Sequence, residues 1–400
     1  MTAFFRNVPL LAAAQALMMS GNALLIAASA LVGHMLAEDK SLATLPLAAQ
    51  FIATMLTSIP AAMLMERFGR KPAFVSATLL GVAGAGLAAT ATLQGSFWLF
   101  VLATMFIGAF NGFGNYYRFA AADSVHGDEK ARAVSWVMAG GVIAAVVGPN
   151  LARYTRDTVD AAPFAGTFLA LISVYLLAML VLSAISLPKK SLDHFAADFL
   201  PPRSLPEIAR QKAFIVALCC GMLGYGVMSL VMTATPLAMH HHHHAFDDTA
   251  FVIQWHVLGM FAPSFVTGTL ITRYGLDNIL GIGALLGLAC VAINLVGTSL
   301  WHFWIALVLL GVSWNFLFIG ATTLLTDTYH ANERAKTQAI NDFAVFTTVA
   351  LASLSADYLQ HQFGWETVNI GVIPLLIIIL ASVAWLKYTP NNTAETVRES

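Results

Sequence analysis

The sequence predicts an all-α membrane protein with twelve transmembrane helices in two pseudo-symmetric six-helix halves. Three observations carry that expectation. Of the 400 residues, 58% are hydrophobic and only 10% charged. A soluble domain carries about 25% charged residues, so this chain cannot solvate a surface of its size in water. Apolar runs long enough to span a bilayer recur twelve times along the chain. A loop sequence also repeats: Asp123–Arg132 matches Asp327–Lys336 at an offset of 204, and Glu66–Gly69 matches Thr272–Gly275 at an offset of 206. One duplication of six helices accounts for both offsets. It also places a solute site between the halves, near mid-membrane.

The expected spans are 9–35, 43–65, 73–93, 97–121, 134–152, 164–187, 213–237, 249–271, 276–297, 301–325, 337–358 and 367–386. The first follows a single basic residue, Arg6, and lacks a small-residue cleavage site, so it reads as a retained helix. The polar stretch 188–212 holds Pro201, Pro202 and Pro206 and reads as a cytoplasmic linker between halves 1–187 and 213–390, with a tail at 391–400. Of the 20 Lys and Arg residues, 17 fall on the side of the linker and both termini. That side is therefore expected to be cytoplasmic. The net charge of −1 gives no reason to expect nucleic acid, and the partner expected throughout is lipid. The three cysteines form neither a disulfide framework nor a CxxC motif. With no nucleophile–base spacing, phosphate loop or cofactor motif, the chain reads as a carrier without a cofactor, not an enzyme.

Two spacings suggest a cargo. Met228-x-x-x-Met232 lies in the seventh span and His256-x-x-x-Met260 in the eighth. Residues four apart share a helix face, and thioether and imidazole are ligands that copper accepts. By helical rise the two pairs lie roughly 7–14 Å and 10–17 Å below the outer surface, so their depths overlap. An ionisable residue inside a span, here His256, is expected to be functional. The alternative is a neutral imidazole bonded to a neighbouring helix.

Other residues extend this expectation. Met239 and the run His240, His241, His242, His243 and His244 follow at the outer mouth, where a His-rich tract can capture metal. Cys219 and Cys220 lie two turns inward and offer thiols for a metal relay, with small-residue packing as the alternative. Asp342, near the inner end of the eleventh span, is the candidate for proton coupling. Gln15, Met18, Met19 and Asn22 are embedded in the first span. Asn111, Asn115 and Arg118 share one face of the fourth; the two asparagines are placed to line a cavity, and Arg118 to pair with Asp123 or lipid headgroups.

Ala62-Met-Leu-Met-Glu66-Arg67-Phe-Gly69-Arg70-Lys71 resembles the loop 2–3 signature of the major facilitator superfamily, with Ala62 replacing the usual Gly and Glu66 the usual Asp. Gly148-Pro149 resembles a short form of its fifth-helix motif. The resemblance implies alternating access, with Glu66, Arg67, Arg70 and Lys71 at the inner gate. The four-residue set Met228, Met232, His256 and Met260 also resembles the motifs of the CcoA-like copper importers of that superfamily. This second likeness implies copper import across a bacterial inner membrane, with copper as substrate, an intracellular copper acceptor as partner and cytochrome oxidase (cbb3-type) assembly as destination. Two alternatives stand beside it. One is a carrier of riboflavin or another small organic solute, with Trp255, Tyr116 and Tyr117 as candidate cavity rings. The other is a transporter-like sensor that binds metal without moving it.

Overall fold

The structure, a computed structural model, describes residues 3–187 and 201–388. The linker centre and the tail, with Lys189, Lys190 and Arg398, lie outside the described residues. Every long element is helical. The first half comprises α1 (Ala3–Leu36), α2 (Leu45–Phe68), α3 (Arg70–Gln94), α4 (Phe97–Gly114), α5 (Tyr117–Ala122), α6 (Glu129–Thr155) and α7 (Ala165–Ser183). A short linker helix, α8 (Leu205–Ala209), leads to the second half. That half comprises α9 (Lys212–His241), α10 (Phe246–Phe261), α11 (Ser264–Tyr274), α12 (Leu276–Val296), α13 (Leu300–Leu325) and α14 (Arg334–Tyr388).

Among the described residues, eleven spans are long and apolar enough to cross a membrane. A twelfth forms if α10 and α11, bent by 43° at their junction, count as one. The bend falls at Ala262-Pro263, where proline removes a backbone donor and crowds the preceding turn. α4 and α5 make one span with a break at Asn115-Tyr116. α14 carries the last two spans, and its backbone leaves helical geometry at Gly364, with φ 78° and ψ 171°.

The repeated loop has a backbone reason. Gly69 joins α2 to α3 at φ 88°, and Gly275 joins α11 to α12 at φ 89°. Glycine populates this region without steric penalty, so both copies turn tightly at the same place. The halves meet along α2 with α14 and along α6 with α10 and α11. At Gly268 of α11 an added Cβ would stand 2.6 Å from the Arg132 Cα of α6, so only glycine permits that approach.

The repeat also reappears as reciprocal contacts. Asp123 pairs with Arg334 at 3.1 Å, and Asp327 pairs with Lys130 at 2.7 Å. At the offset of 204, Asp123 corresponds to Asp327 and Lys130 to Arg334, so one ion pair is the image of the other. Arg118 Nε donates to Thr322 Oγ1 at 3.3 Å, and these residues are also 204 apart. The pseudo-twofold axis therefore runs between Arg118 and Thr322.

Candidate solute cavity between the two halves

Between the halves lies a cavity of about 720 Å³, open solvent included. Its two walls differ in chemistry. The first half contributes Gln15 and Asn22 from α1, Gln50 and Thr54 from α2, and Asn111 and Asn115 from the end of α4. Met18, Met19, Met138 and a single ring, Phe51, complete that wall. The second half contributes Tyr225, Phe261, Trp314, Phe318 and Phe346, with Val349.

The amide wall is cross-linked through one atom. Asn22 Oδ1 accepts from Gln50 Nε2 and from Asn111 Nδ2, each at 2.6 Å. This ties α1 to α2 and α4. Gln15 Oε1, Gln50 Oε1 and Asn111 Oδ1 are buried with no donor from the protein. Buried acceptors of this kind normally have partners, so these oxygens are open to donors from water or a solute.

The ring wall is a continuous cluster. Trp314 and Phe318 stack with centroids 5.0 Å apart and planes 12° apart. Tyr225 meets both edge-on, at 5.2 and 5.3 Å, and Phe261 meets Trp314 at 5.5 Å. Edge-on and offset arrangements of this kind are favourable beyond their buried area. Trp314 Nε1 is buried without an acceptor.

Arg118 forms the floor and is the one charged residue that lines the cavity among the described residues. Its guanidinium lies 4.4 Å from the Phe119 ring centroid and 4.7 Å from that of Phe318. Nη1 donates to the Asn115 carbonyl at 2.6 Å, and Nη2 reaches Asp342 Oδ1 of α14 at 2.6 Å. Arg118 therefore pairs with Asp342 across the halves, not with Asp123 or lipid as the sequence suggested. Both side chains are almost fully buried, so the pair is a strong mutual constraint and not a solvated one.

Below this floor the linker face is closed by polar contacts. Arg70 bridges Asp123 at 2.7 Å and Gln338 of α14 at 2.9 Å. Of the four residues expected at the gate, Arg70 makes that bridge; Glu66 and Arg67 lie exposed, and neither Glu66 nor Lys71 joins an ion pair among the described residues. Arg203 of the linker binds Glu333 at 2.6 Å and the Thr328 carbonyl at 3.0 Å, strapping the linker to the loop before α14.

None of the four expected copper ligands lines the cavity. Met228 and Met260 are buried in the apolar core, and Met232 packs against it. His256 is fully buried and its Nδ1 lies 2.7 Å from the Leu307 carbonyl of α13, the neighbouring-helix bond of its alternative reading. The helix carrying His256 and Met260 packs mainly on α13, and only marginally on the helix carrying the methionine pair. Met239 is buried, and α9 continues through His241. His244 Nε2 lies 2.8 Å from the Thr298 carbonyl, and its ring and that of His242 pack on Phe303. No group of three or more His, Cys, Asp or Glu is placed to hold a metal among the described residues. Cys220 is fully buried and Cys219 half-buried.

The Major Facilitator Superfamily model matches residues 10–253 and 217–400, together nearly the whole chain. The chain belongs to the major facilitator superfamily. Solved members of similar fold include the transporter FucP in an outward conformation, with a TM-score of 0.77, 16% identity, and coverage of 97% of this chain and 100% of that one. The human organic anion transporter TETRAN aligns with a TM-score of 0.75 and 13% identity, over 95% and 99% of the two chains. Among relatives, the riboflavin transporter RfnT of Brucella anthropi is 44% identical over 393 residues, 98% of each chain. A transporter of this superfamily from Bacillus subtilis, YddS, is 27% identical over 88% of this chain and 85% of its own.

These findings correct the expected cargo. Copper import is overturned by the similarity to a riboflavin transporter along almost the full length, and the copper acceptor and the metal sensor lose their support with it. The physical reason is that methionine and histidine four apart on a helix pack as readily as they ligate. The expected cavity rings are corrected too. Tyr116 and Tyr117 are buried within the first half, where Tyr116 donates to the Ser58 carbonyl at 2.8 Å and Tyr117 meets Phe74 edge-on. Trp255 is 41% exposed on the outside of the bundle. Asn111 and Asn115 do line the cavity, as do Gln15, Met18, Met19 and Asn22. Gln50, Tyr225, Phe261, Trp314, Phe318 and Phe346 escaped the sequence reading. Gln50 carried a signal, a polar residue within a span; the rings carried none, because rings abound in the spans.

Proposed function

We propose that this protein carries riboflavin, or a closely similar uncharged solute with a flat heteroaromatic ring and hydroxyl groups, across the bacterial cytoplasmic membrane by alternating access. The observation that supports this most directly is the two-walled cavity: rings on one side for a planar solute, and unpartnered amide oxygens on the other for its hydroxyls. The 44% identity to RfnT supplies the solute's name. The excess of Lys and Arg on the linker face supports cytoplasmic termini.

Arg70 is the residue of the loop 2–3 motif that we assign to the gate, through its bridge to Gln338. We assign coupling to Asp342, because its partner Arg118 forms the cavity floor and the pair must separate for the floor to open. Growth of a riboflavin-requiring strain on low external riboflavin, together with uptake of radiolabelled riboflavin into proteoliposomes, tests the main reading. Rescue and saturable uptake are expected. Uptake no faster than in empty vesicles would overturn it. For coupling, an imposed proton gradient is expected to accelerate uptake by the wild type but not by Asp342→Asn.

A further inference from the structure

Resting on the flavin reading above, we infer that the cavity holds the flavin in one orientation and accepts only its unphosphorylated form. The ring system lies against the second-half rings, and the polyhydroxyl chain lies against the first-half amides.

The inventory of unpartnered groups drives the orientation. On the amide wall these are acceptors: Gln15 Oε1, Gln50 Oε1 and Asn111 Oδ1. Their side chains are at least nine-tenths buried, at 5%, 1% and 2% exposure. On the ring wall the unpartnered cavity group is a donor, Trp314 Nε1. A flavin ring presents mainly acceptors, its carbonyl oxygens and unsubstituted ring nitrogens, with a single imide N–H donor, and its side chain presents several hydroxyls, which donate. Rings against rings and hydroxyls against amides satisfies both walls at once. The reverse orientation offers three buried oxygens only the single ring N–H and buries hydroxyls against apolar rings, and each unmade bond is penalised in full.

Charge excludes the phosphorylated form. Arg118 is the one charged group lining the cavity among the described residues. Its guanidinium is already held by Asp342, the Asn115 carbonyl and Thr322. A flavin phosphate would bring negative charge into a wall with no uncommitted cation, and a buried charge without a partner is strongly disfavoured.

The test uses the full-length protein in lipid nanodiscs and reads equilibrium binding by quenching of flavin fluorescence. The probes are riboflavin, lumiflavin (the same ring with a methyl in place of the chain) and flavin mononucleotide. The wild type is expected to prefer riboflavin to lumiflavin by roughly tenfold or more, since a site built for hydroxyls rejects the analogue lacking them. Gln15→Met and Gln50→Met should each lower that preference by about fivefold while leaving lumiflavin binding unchanged. Gln15→Met lies outside the Asn22 network, so it remains informative if Gln50→Met disturbs folding. Trp314→Leu should weaken both ligands by about tenfold and leave the preference intact. Flavin mononucleotide should not displace riboflavin. A preference altered by Trp314→Leu and unmoved by both glutamine variants would overturn the orientation, and displacement by the mononucleotide would overturn the charge argument. If the folded wild type bound none of the three, the flavin reading itself would fall.

Discussion

The first half of the molecule faces its cavity with amides, and the second half faces the same space with rings. The two halves carry one repeat, and its loop contacts remain reciprocal, Asp123 with Arg334 and Asp327 with Lys130. The cavity walls do not. Duplication preserves the contacts that close the halves on each other, because both copies must meet the same partner. It leaves the walls free to diverge, because they face the cavity and not each other. The floor shows the divergence at single positions: at the offset of 204, Asp342 corresponds to Met138 and Arg118 to Thr322. One buried ion pair, Arg118–Asp342, therefore stands where symmetry would have given two.

Breaking that pair should produce the largest effect. Asp342→Ala leaves a buried guanidinium unpaired, at an expected cost of about 3–5 kcal/mol. Thermal unfolding in detergent would read it, with loss of uptake. The double variant Arg118→Met/Asp342→Leu should recover most of the stability but not transport. Next comes the ring wall. Trp314→Leu removes the stacking partner of Phe318 and the edge partner of Tyr225 and Phe261, with an expected loss of roughly 2–3 kcal/mol of stability. On the amide wall, Asn22→Leu deprives Gln50 Nε2 and Asn111 Nδ2 of their common acceptor, at about 1–3 kcal/mol. Asn22→Asp retains an acceptor and should behave closer to the wild type in the same unfolding assay.

A smaller effect sharpens the contrast between the walls. A Cβ on Gly114 would stand 1.8 Å from Met18 Sδ, so Gly114→Ala pushes a flexible thioether into the cavity from the amide side. Its stability cost should fall at the low end of the roughly 1–3 kcal/mol of overpacking, while riboflavin uptake slows.

The linker strap should respond least. Burial alone would raise the Glu333 carboxyl, but hydrogen bonds from the Arg203 side chain, the His330 N–H and the Arg203 N–H outweigh it and hold the group at about 2. A depressed folded-state value means that the strap's contribution is complete above the ordinary glutamate value of about 4.3 and is lost as pH falls towards about 2. Hydrogen exchange of residues 201–211, compared at matched intrinsic rates, should therefore show no pH-dependent release between about pH 5 and 8.

Much of this was legible in the chain. Span length, the scarcity of charge and the repeated loop depend on bilayer thickness and on local backbone geometry at Gly69 and Gly275, both of which are written residue by residue. Embedded amides such as Asn22 and Asn111 announced themselves because an apolar span bears polar groups only for a reason. The soft ligands misled because helical spacing defines a face but not what that face meets: His256 turned to the Leu307 carbonyl, and Met228 turned into the core. Membrane class, helix count and duplication could be read along the chain, since each follows from periodicity and composition in one dimension. Which rings gather opposite which amides, and that Arg118 meets Asp342, emerged only on folding, because such contacts join residues far apart in the chain, 224 positions for Arg118 and Asp342, through the packing of two halves.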